Sequence, residues 1–204
     1  AGGLFNLNTI QFLKGSTCLA TIISPSSSFC TGSNVTLSAN SGNSYKWFSG
    51  TTQVGTAQTY TATTAGDYTV QVTNSSGCTA TSAIKTITVN PLPTITPYLQ
   101  INGGAWNGTT TATVCLGDTV SFGPWPTVAT GWSWTGPNSF ANVSRSPQVT
   151  FQNANQGGVY TVTYTDANGC KANANFTVTV SLPVASINAS GPTIFCQGGS
   201  VTLT

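Results

Sequence analysis

Apolar and polar residues alternate along most of the chain with a period of two, which is the pattern of half-buried β-strands. In the first half of the sequence the alternating runs are Val35/Leu37, Tyr45/Trp47, Tyr60/Ala62, Tyr68/Val70/Val72 and Ile87/Val89. In the second half they are Val120/Phe122, Trp132/Trp134, Val149/Phe151, Tyr160/Val162/Tyr164 and Phe176/Val178/Val180. No helix is evident between them. The pattern therefore predicts an all-β fold.

The runs belong to an internal repeat, because one motif occurs three times along the chain. In each copy a cysteine stands five residues before a strand valine: Cys30 and Val35, Cys115 and Val120, Cys196 and Val201. In the first two copies a tyrosine later precedes a second cysteine by ten residues: Tyr68 and Cys78, Tyr160 and Cys170. Prolines then end each copy, at residues 91–93 and 182–183.

The repeat divides the chain into modules over residues 20–90 and 93–181. Residues 1–19 match no repeat, so they are a strand-like segment of unclear role. Residues 184–204 begin a third module and stop within its second strand. We therefore expect the sequence to be a piece of a longer array. The alternative is that this last segment completes a neighbouring molecule by strand addition.

Each module has the features of an immunoglobulin-like β-sandwich. It holds about seven short strands, with a tryptophan on the third and a tyrosine opening the sixth. Tyr68 and Tyr160 each follow a glycine, as the tyrosine of a tyrosine corner does. Trp132 and Trp134 share one strand face, so both can point into the core.

The composition of the chain excludes several classes of function. Only 4% of the residues are charged, against roughly 25% in a typical domain. The net charge is +2 and the cations are spread along the chain, so we expect no nucleic-acid partner. No run of about 18 apolar residues is present, so we expect no membrane span. Six cysteines without histidine or a CxxC pair favour disulfides in an oxidising compartment over a metal site.

Few residues of this sequence could take part in catalysis. There is no histidine for a Ser-His or Cys-His pair. The three carboxylates, Asp67, Asp118 and Asp166, occupy separate turns or strand edges. Neither a paired-carboxylate site nor a calcium site is expected from them. We therefore predict a non-enzymatic protein with no cofactor, no metal and no catalytic residue.

Two disulfide schemes are open. Pairing within modules would join Cys30 to Cys78 and Cys115 to Cys170. However, the two cysteines of one module should lie at opposite ends of the sandwich, roughly 20 Å apart, while a disulfide needs Cα atoms within about 7 Å. We therefore favour a cross-module scheme with Cys30–Cys170 and Cys18–Cys78, which leaves Cys115 for a cysteine of the third module. Such bonds would stiffen the array.

The repeats resemble a known family. The segments FCTGSNVTLSANSGNSYKW, TTAGDYTVQVTNSSGCTATSA and VNPLP are similar to the Ig-like (PKD-like) repeats of large surface proteins of Bacteroidetes. The segments INGGAW, GWSWTGPNSF and YTVTYTDANGC of the second module resemble a subclass found beside carbohydrate-active modules. The resemblance implies export, often by the type IX pathway, and a role as adhesin, filament or spacer at the cell surface. Asp118-Thr119-Val120 resembles the O-glycosylation signal of secreted Bacteroidetes proteins, which predicts modification of Thr119.

Three functions are consistent with these observations. The first is an extracellular structural or adhesive array whose partners are neighbouring modules or subunits. The second is a carbohydrate-binding module, in which the loop residues Trp106 and Trp125 stack on surface glycans. The third is a filament subunit that assembles by strand exchange through residues 1–19 or 184–204.

Overall fold

The computed structural model describes residues 18–128 and 130–183, together with the single positions 189, 194, 197 and 200. Most of the N-terminal segment and nearly all of the predicted third module, including Cys196, lie outside the described residues. The chain divides into two compact units. The first runs to Leu92 and also includes Asn168–Cys170, and the second comprises Pro93–Ala167 and the chain from Lys171 onward.

The first unit is a β-sandwich. Its strands are β1 (Ile22–Ile23), β2 (Ser28–Cys30), β3 (Val35–Ala39), β4 (Ser44–Ser49), β5 (Thr52–Gly55), β6 (Thr59–Ala62), β7 (Gly66–Thr73), β8 (Thr79–Thr81) and β9 (Lys85–Asn90). One sheet has the order β1-β3-β6, and the other has the order β2-β9-β7-β4-β5, with β8 beside β7. The pair β2–β9 is parallel, and the other pairs are antiparallel.

The second unit repeats this topology. Its strands are β10 (Leu99–Ile101), β11 (Thr111–Cys115), β12 (Thr119–Phe122), β13 (Trp132–Gly136), β14 (Phe140–Asn142), β15 (Gln148–Thr150), β16 (Gly158–Thr165) and β17 (Lys171–Ser181). Its sheets have the orders β10-β12-β15 and β11-β17-β16-β13-β14, and again only the outer pair β11–β17 is parallel. Two 3-10 turns, Pro137–Ser139 and Ala154–Gln156, complete it. The chain is thus all-β, with Ig-like β-sandwiches.

Each sandwich is built around a buried tryptophan. Trp47 and Trp134 are 0% and 2% exposed, and each indole N–H donates to a backbone carbonyl ten residues onward, that of Ala57 at 2.8 Å and of Ser144 at 2.9 Å. Because each buried donor has an acceptor, the ring can fill the core without a desolvation penalty on its N–H. Trp132 is also buried, at 3% exposure, as the shared face with Trp134 predicts.

Both modules contain a tyrosine corner, as predicted. Tyr68 donates its hydroxyl to the carbonyl of Thr64 at 2.9 Å, and Tyr160 donates to that of Gln156 at 2.7 Å. Both rings are almost fully buried, at 0% and 1% exposure. The hydrogen bond returns to the chain just before the strand and fixes how the strand enters the sandwich.

The sequence pattern missed the outer strands. β2 and β11 carry the first cysteine of each module and pair with the last strand, although we placed those cysteines before a strand rather than on one. The hairpin strands β5 and β14 were also missed. These strands are short and lie at sheet edges, where few side chains are buried and the alternation of apolar residues is weak.

Candidate functional site

Cys18 and Cys78 form a disulfide in the first unit, with Cα atoms 6.0 Å apart. Cys78 follows a tight turn that the Asn74 side chain organises. The Oδ1 atom of Asn74 accepts hydrogen bonds from the backbone N–H groups of Ser76 and Cys78, both at 3.0 Å. Gly77 has φ +81°, which a residue with a side chain adopts rarely. The turn therefore fixes the position of Cys78 between β7 and β8.

Cys30 is joined to Cys170, with Cα atoms 5.6 Å apart. Cys30 ends β2, where it pairs with Asn90, the last residue of β9. Cys170 is fully buried and directly precedes β17. The segment Asn168–Cys170 belongs to the first compact unit, although β16 and β17 on either side of it belong to the second. The structure thus has the pairs of the cross-module scheme.

The structure forms neither pair of the within-module alternative, and strand length explains why. Cys115 pairs with Ser181 at the end of β17, whereas Cys170 precedes the start of that strand. At about 3.3 Å per residue the two ends are roughly 35 Å apart, far beyond the reach of a disulfide. Cys30 likewise pairs with the last residue of β9, whereas Cys78 precedes β8 near the other end of the sandwich. Cys115 is exposed and is the free cysteine among the described residues.

A cleft in the second unit brings the two predicted glycan-binding tryptophans together. Trp106 and Trp125, 46% and 52% exposed, line a cavity of about 280 Å³. Tyr98, Gly123 and Arg145 complete its lining. We refer to these five residues as the aromatic cleft. Sequence reasoning did not find the last three, because the cleft residues are spread between positions 98 and 145 without a local motif.

Backbone pairing holds the cleft in place. Trp125 and Thr96 exchange hydrogen bonds of 2.8 and 3.2 Å, which places the Trp125 loop beside the chain that leads into β10. The N–H of Gly123 donates to the carbonyl of Tyr98 at 2.9 Å. The ring of Trp106 lies against Gly123, where an added Cβ would be only 2.7 Å from its Cη2 atom. Glycine is therefore required at position 123 for this ring position.

The side-chain nitrogens of the cleft are hydrogen-bond donors. Arg145 donates from Nε to the carbonyl of Pro124 and from Nη1 to the hydroxyl of Ser146, both at 3.0 Å. No carboxylate of the described residues pairs with this guanidinium. The indole N–H groups of Trp106 and Trp125 also lack an acceptor in the described part of the chain. The cleft therefore presents N–H donors to solvent beside exposed ring surface.

Thr119, the predicted O-glycosylation residue, begins β12 and is half-buried. Its hydroxyl is 2.9 Å from the hydroxyl of Thr150 on β15. Neighbouring Asp118 accepts hydrogen bonds from the Asn102 side chain at 2.6 Å and from the Cys115 backbone at 2.7 Å. These bonds stabilise the charged carboxylate, the Asn102 bond most, and lower the pKa of Asp118. Modification of Thr119 stays a prediction.

The described residues have neither a cluster of metal-binding side chains nor a membrane-spanning helix. No three side chains of His, Cys, Asp or Glu cluster there in a way that could hold a metal ion. That part of the chain also contains no helix with the length and apolar character needed to span a membrane.

Comparison with known proteins agrees with the observed topology. Residues 19–91 match the model of a family described as "Ig-like domain CHU_C associated". Sequence comparison with curated proteins finds no match. Together with the strand order of both units, the family match shows the Ig-like fold.

Among solved structures, the chain is similar to the three N-terminal domains of the highly immunogenic outer capsid protein of bacteriophage RB49. The identity is 18% and the TM-score 0.38, over 84% of this chain and 61% of that one. The fibronectin(III)-like modules of Clostridium thermocellum CbhA are 12% identical with a TM-score of 0.39, and the match covers 79% of this chain and 94% of that one. The insect immune protein hemolin is 15% identical with a TM-score of 0.35, and the match covers 82% of this chain and 49% of that one. The chain thus spans 61% of the capsid protein fragment.

Proposed function

We propose that this chain is a non-enzymatic structural segment of a bacterial surface protein, in which the Cys30–Cys170 disulfide carries tensile load. The observation that supports the proposal is this bond, which closes a loop with a sequence separation of 140 residues. Ig-like sandwiches generally serve as structural or adhesive modules. The two disulfides indicate an oxidising compartment, and we assign the chain to the extracellular surface.

The mechanical consequence follows from covalent connectivity alone. When the two ends of the chain are pulled apart, force enters at the N-terminus and reaches Cys30. It then crosses the disulfide to Cys170 and leaves through the C-terminal residues. Residues 31–169 lie on a closed loop, so they add nothing to the extended length while the bond is intact. The greater part of both sandwiches is therefore shielded from end-to-end extension.

This arrangement suits a stalk that must keep its length under tension. The loop of 140 residues corresponds to about 480 Å of fully extended chain at roughly 3.4 Å per residue. With both disulfides open, forced unfolding would release that length. The low charge, 4% of residues, and the resemblance to exported surface repeats support the same role, with type IX export as the expected route.

Single-molecule stretching tests the proposal. The chain is held by handles at its two ends and pulled first without reductant and then with it. We expect the reduced chain to reach a final length about 480 Å greater than the oxidised chain, because reduction opens the loop. Cys170→Ser should gain only about 270 Å without reductant, because the intact Cys18–Cys78 bond still closes a loop with a sequence separation of 60 residues. Cys115→Ser, which leaves both disulfides intact, is the matched control and should behave like the parent.

The proposal fails if the oxidised parent extends as far as the Cys170→Ser variant. It also fails if reductant leaves the final length of the parent unchanged. In both cases the loop would not be closed by the proposed bond.

A further inference from the structure

The aromatic cleft has a chemistry that the load-bearing role does not use. The three buried tryptophans, Trp47, Trp132 and Trp134, all donate their indole N–H to a backbone carbonyl at 2.8 to 2.9 Å. The two cleft tryptophans do not, and their rings are about half exposed. Tryptophans that stabilise a loop by packing would be expected to bury their rings and satisfy their N–H groups. The cleft tryptophans instead leave about half of each side chain and the indole N–H open to solvent.

Arg145 adds charge to this surface. It is the one arginine in a chain with five cations in total. Two of the five N–H donors of a guanidinium are used, on Pro124 and Ser146. These bonds hold the group in place, and the other three N–H donors remain for a ligand. A fixed guanidinium with free donors is suited to a carboxylate.

We infer that the aromatic cleft binds an acidic sugar residue, a uronic acid within a polysaccharide. A pyranose ring offers an apolar face to the indole rings and hydroxyl oxygens to the donors. Its carboxylate would accept hydrogen bonds from Arg145. The cavity of about 280 Å³ is at the small end of ligand sites, so it takes a single ring rather than a folded peptide segment. The cleft contains no carboxylate that would repel such a ligand.

Binding is tested with the full chain and three soluble probes, by calorimetry or by retardation in affinity electrophoresis. The probes are an oligomer of galacturonic acid, the same oligomer as its methyl ester, and an oligo-glutamate peptide. We expect binding of the acid and at least about tenfold weaker binding of the ester, because esterification removes the carboxylate that pairs with Arg145. The peptide should not bind, since it lacks rings to stack.

Variants separate the cleft from general charge effects. Arg145→Gln should weaken binding of the acid about tenfold and abolish the preference over the ester, whereas Arg145→Lys should retain part of it. Lys171→Gln removes the same charge from an exposed position outside the cleft, and it should bind like the parent. Gly123→Ala should displace the Trp106 ring and weaken binding of both sugar probes. Thermal unfolding of each variant confirms that it is folded.

Several outcomes would overturn the assignment. The assignment is wrong if the parent fails to bind the uronic acid oligomer, or if it binds the methyl ester or the peptide as tightly as the acid. Equal losses in Lys171→Gln and Arg145→Gln would show a diffuse charge effect. A folded Trp125→Ala variant that binds with parental affinity would show that stacking on this ring does not contribute to binding.

Discussion

The tyrosine corner of the second sandwich gives a quantitative test of how the fold is held together. Replacing Tyr160 by phenylalanine removes only the hydroxyl, which donates to the carbonyl of Gln156 at 2.7 Å. The ring keeps its packing against Phe122 and Phe140, whose centroids lie 5.0 and 5.2 Å away. The change therefore isolates one nearly buried hydrogen bond.

The expected loss is about 1–2 kcal/mol in the free energy of unfolding. A net hydrogen bond contributes about 1 kcal/mol, and a buried carbonyl left without a donor adds a desolvation penalty. For a domain of this size the loss corresponds to a melting temperature lower by roughly 5–10 °C. Urea unfolding followed by the fluorescence of buried Trp134 provides the measurement.

Tyr164→Phe is the matched control in the same strand. Tyr164 is 8% exposed and its ring stacks on Trp132 with centroids 4.5 Å apart. Its hydroxyl has no hydrogen-bond partner in the described part of the chain, so its removal should change the unfolding free energy by less than about 0.5 kcal/mol. If the two variants are equally destabilised, the tyrosine-corner bond is not the cause of the loss.

The hydrogen bond from Tyr160 to Gln156 also makes the free energy of unfolding depend on pH in the alkaline range. Burial raises the pKa of Tyr160 above its usual value of 10.0. The protonated hydroxyl is therefore favoured in the folded state, and its contribution is complete below about pH 10. It is lost as the pH rises through the raised folded-state pKa. The stability difference between the parent and Tyr160→Phe should shrink over that range.

Two more predictions follow from the disulfide and from the lowered pKa. The double change Cys18→Ser and Cys78→Ser opens a loop with a sequence separation of 60 residues. Calorimetry should therefore show a loss of about 2–4 kcal/mol in the free energy of unfolding. A parental melting temperature would contradict this prediction. Because the pKa of Asp118 is lowered by its bonds to Asn102 and Cys115, its contribution is present above the unfolded-state pKa and is lost as the pH falls through the lower folded-state pKa. Asp118→Asn should therefore reduce stability near neutral pH and flatten its decline in acid, and an unchanged acid profile would contradict this.

The sequence was sufficient for the central strands and their core. Val35, Leu37 and Trp47 alternate with polar residues because they face the sandwich interior, and that alternation is visible without a structure. The edge strands were not predictable in this way. β5 has no buried residue, and β2 has only one, so neither has an alternating pattern to detect.

The aromatic cleft shows a second limit. Trp106 and Trp125 could be proposed as exposed because they occur among glycines and prolines. Arg145 joins them only through the folding of β15 and its preceding loop beside β12. Nothing in its local sequence indicates that contact. By contrast, strand direction was enough to favour the cross-module scheme over the within-module one, since it places the two cysteines of one module at opposite ends of the sandwich.

Peptide mapping of the unreduced protein tests the central claim most directly. With thiols alkylated before digestion, we predict one disulfide-linked peptide pair that contains Cys30 and Cys170, and a second that contains Cys18 and Cys78. Cys115 should not be linked to either pair. A linked peptide pair with Cys30 and Cys78, or with Cys115 and Cys170, would contradict the account, because each sandwich would then be closed on itself and the load path through Cys30–Cys170 would not exist.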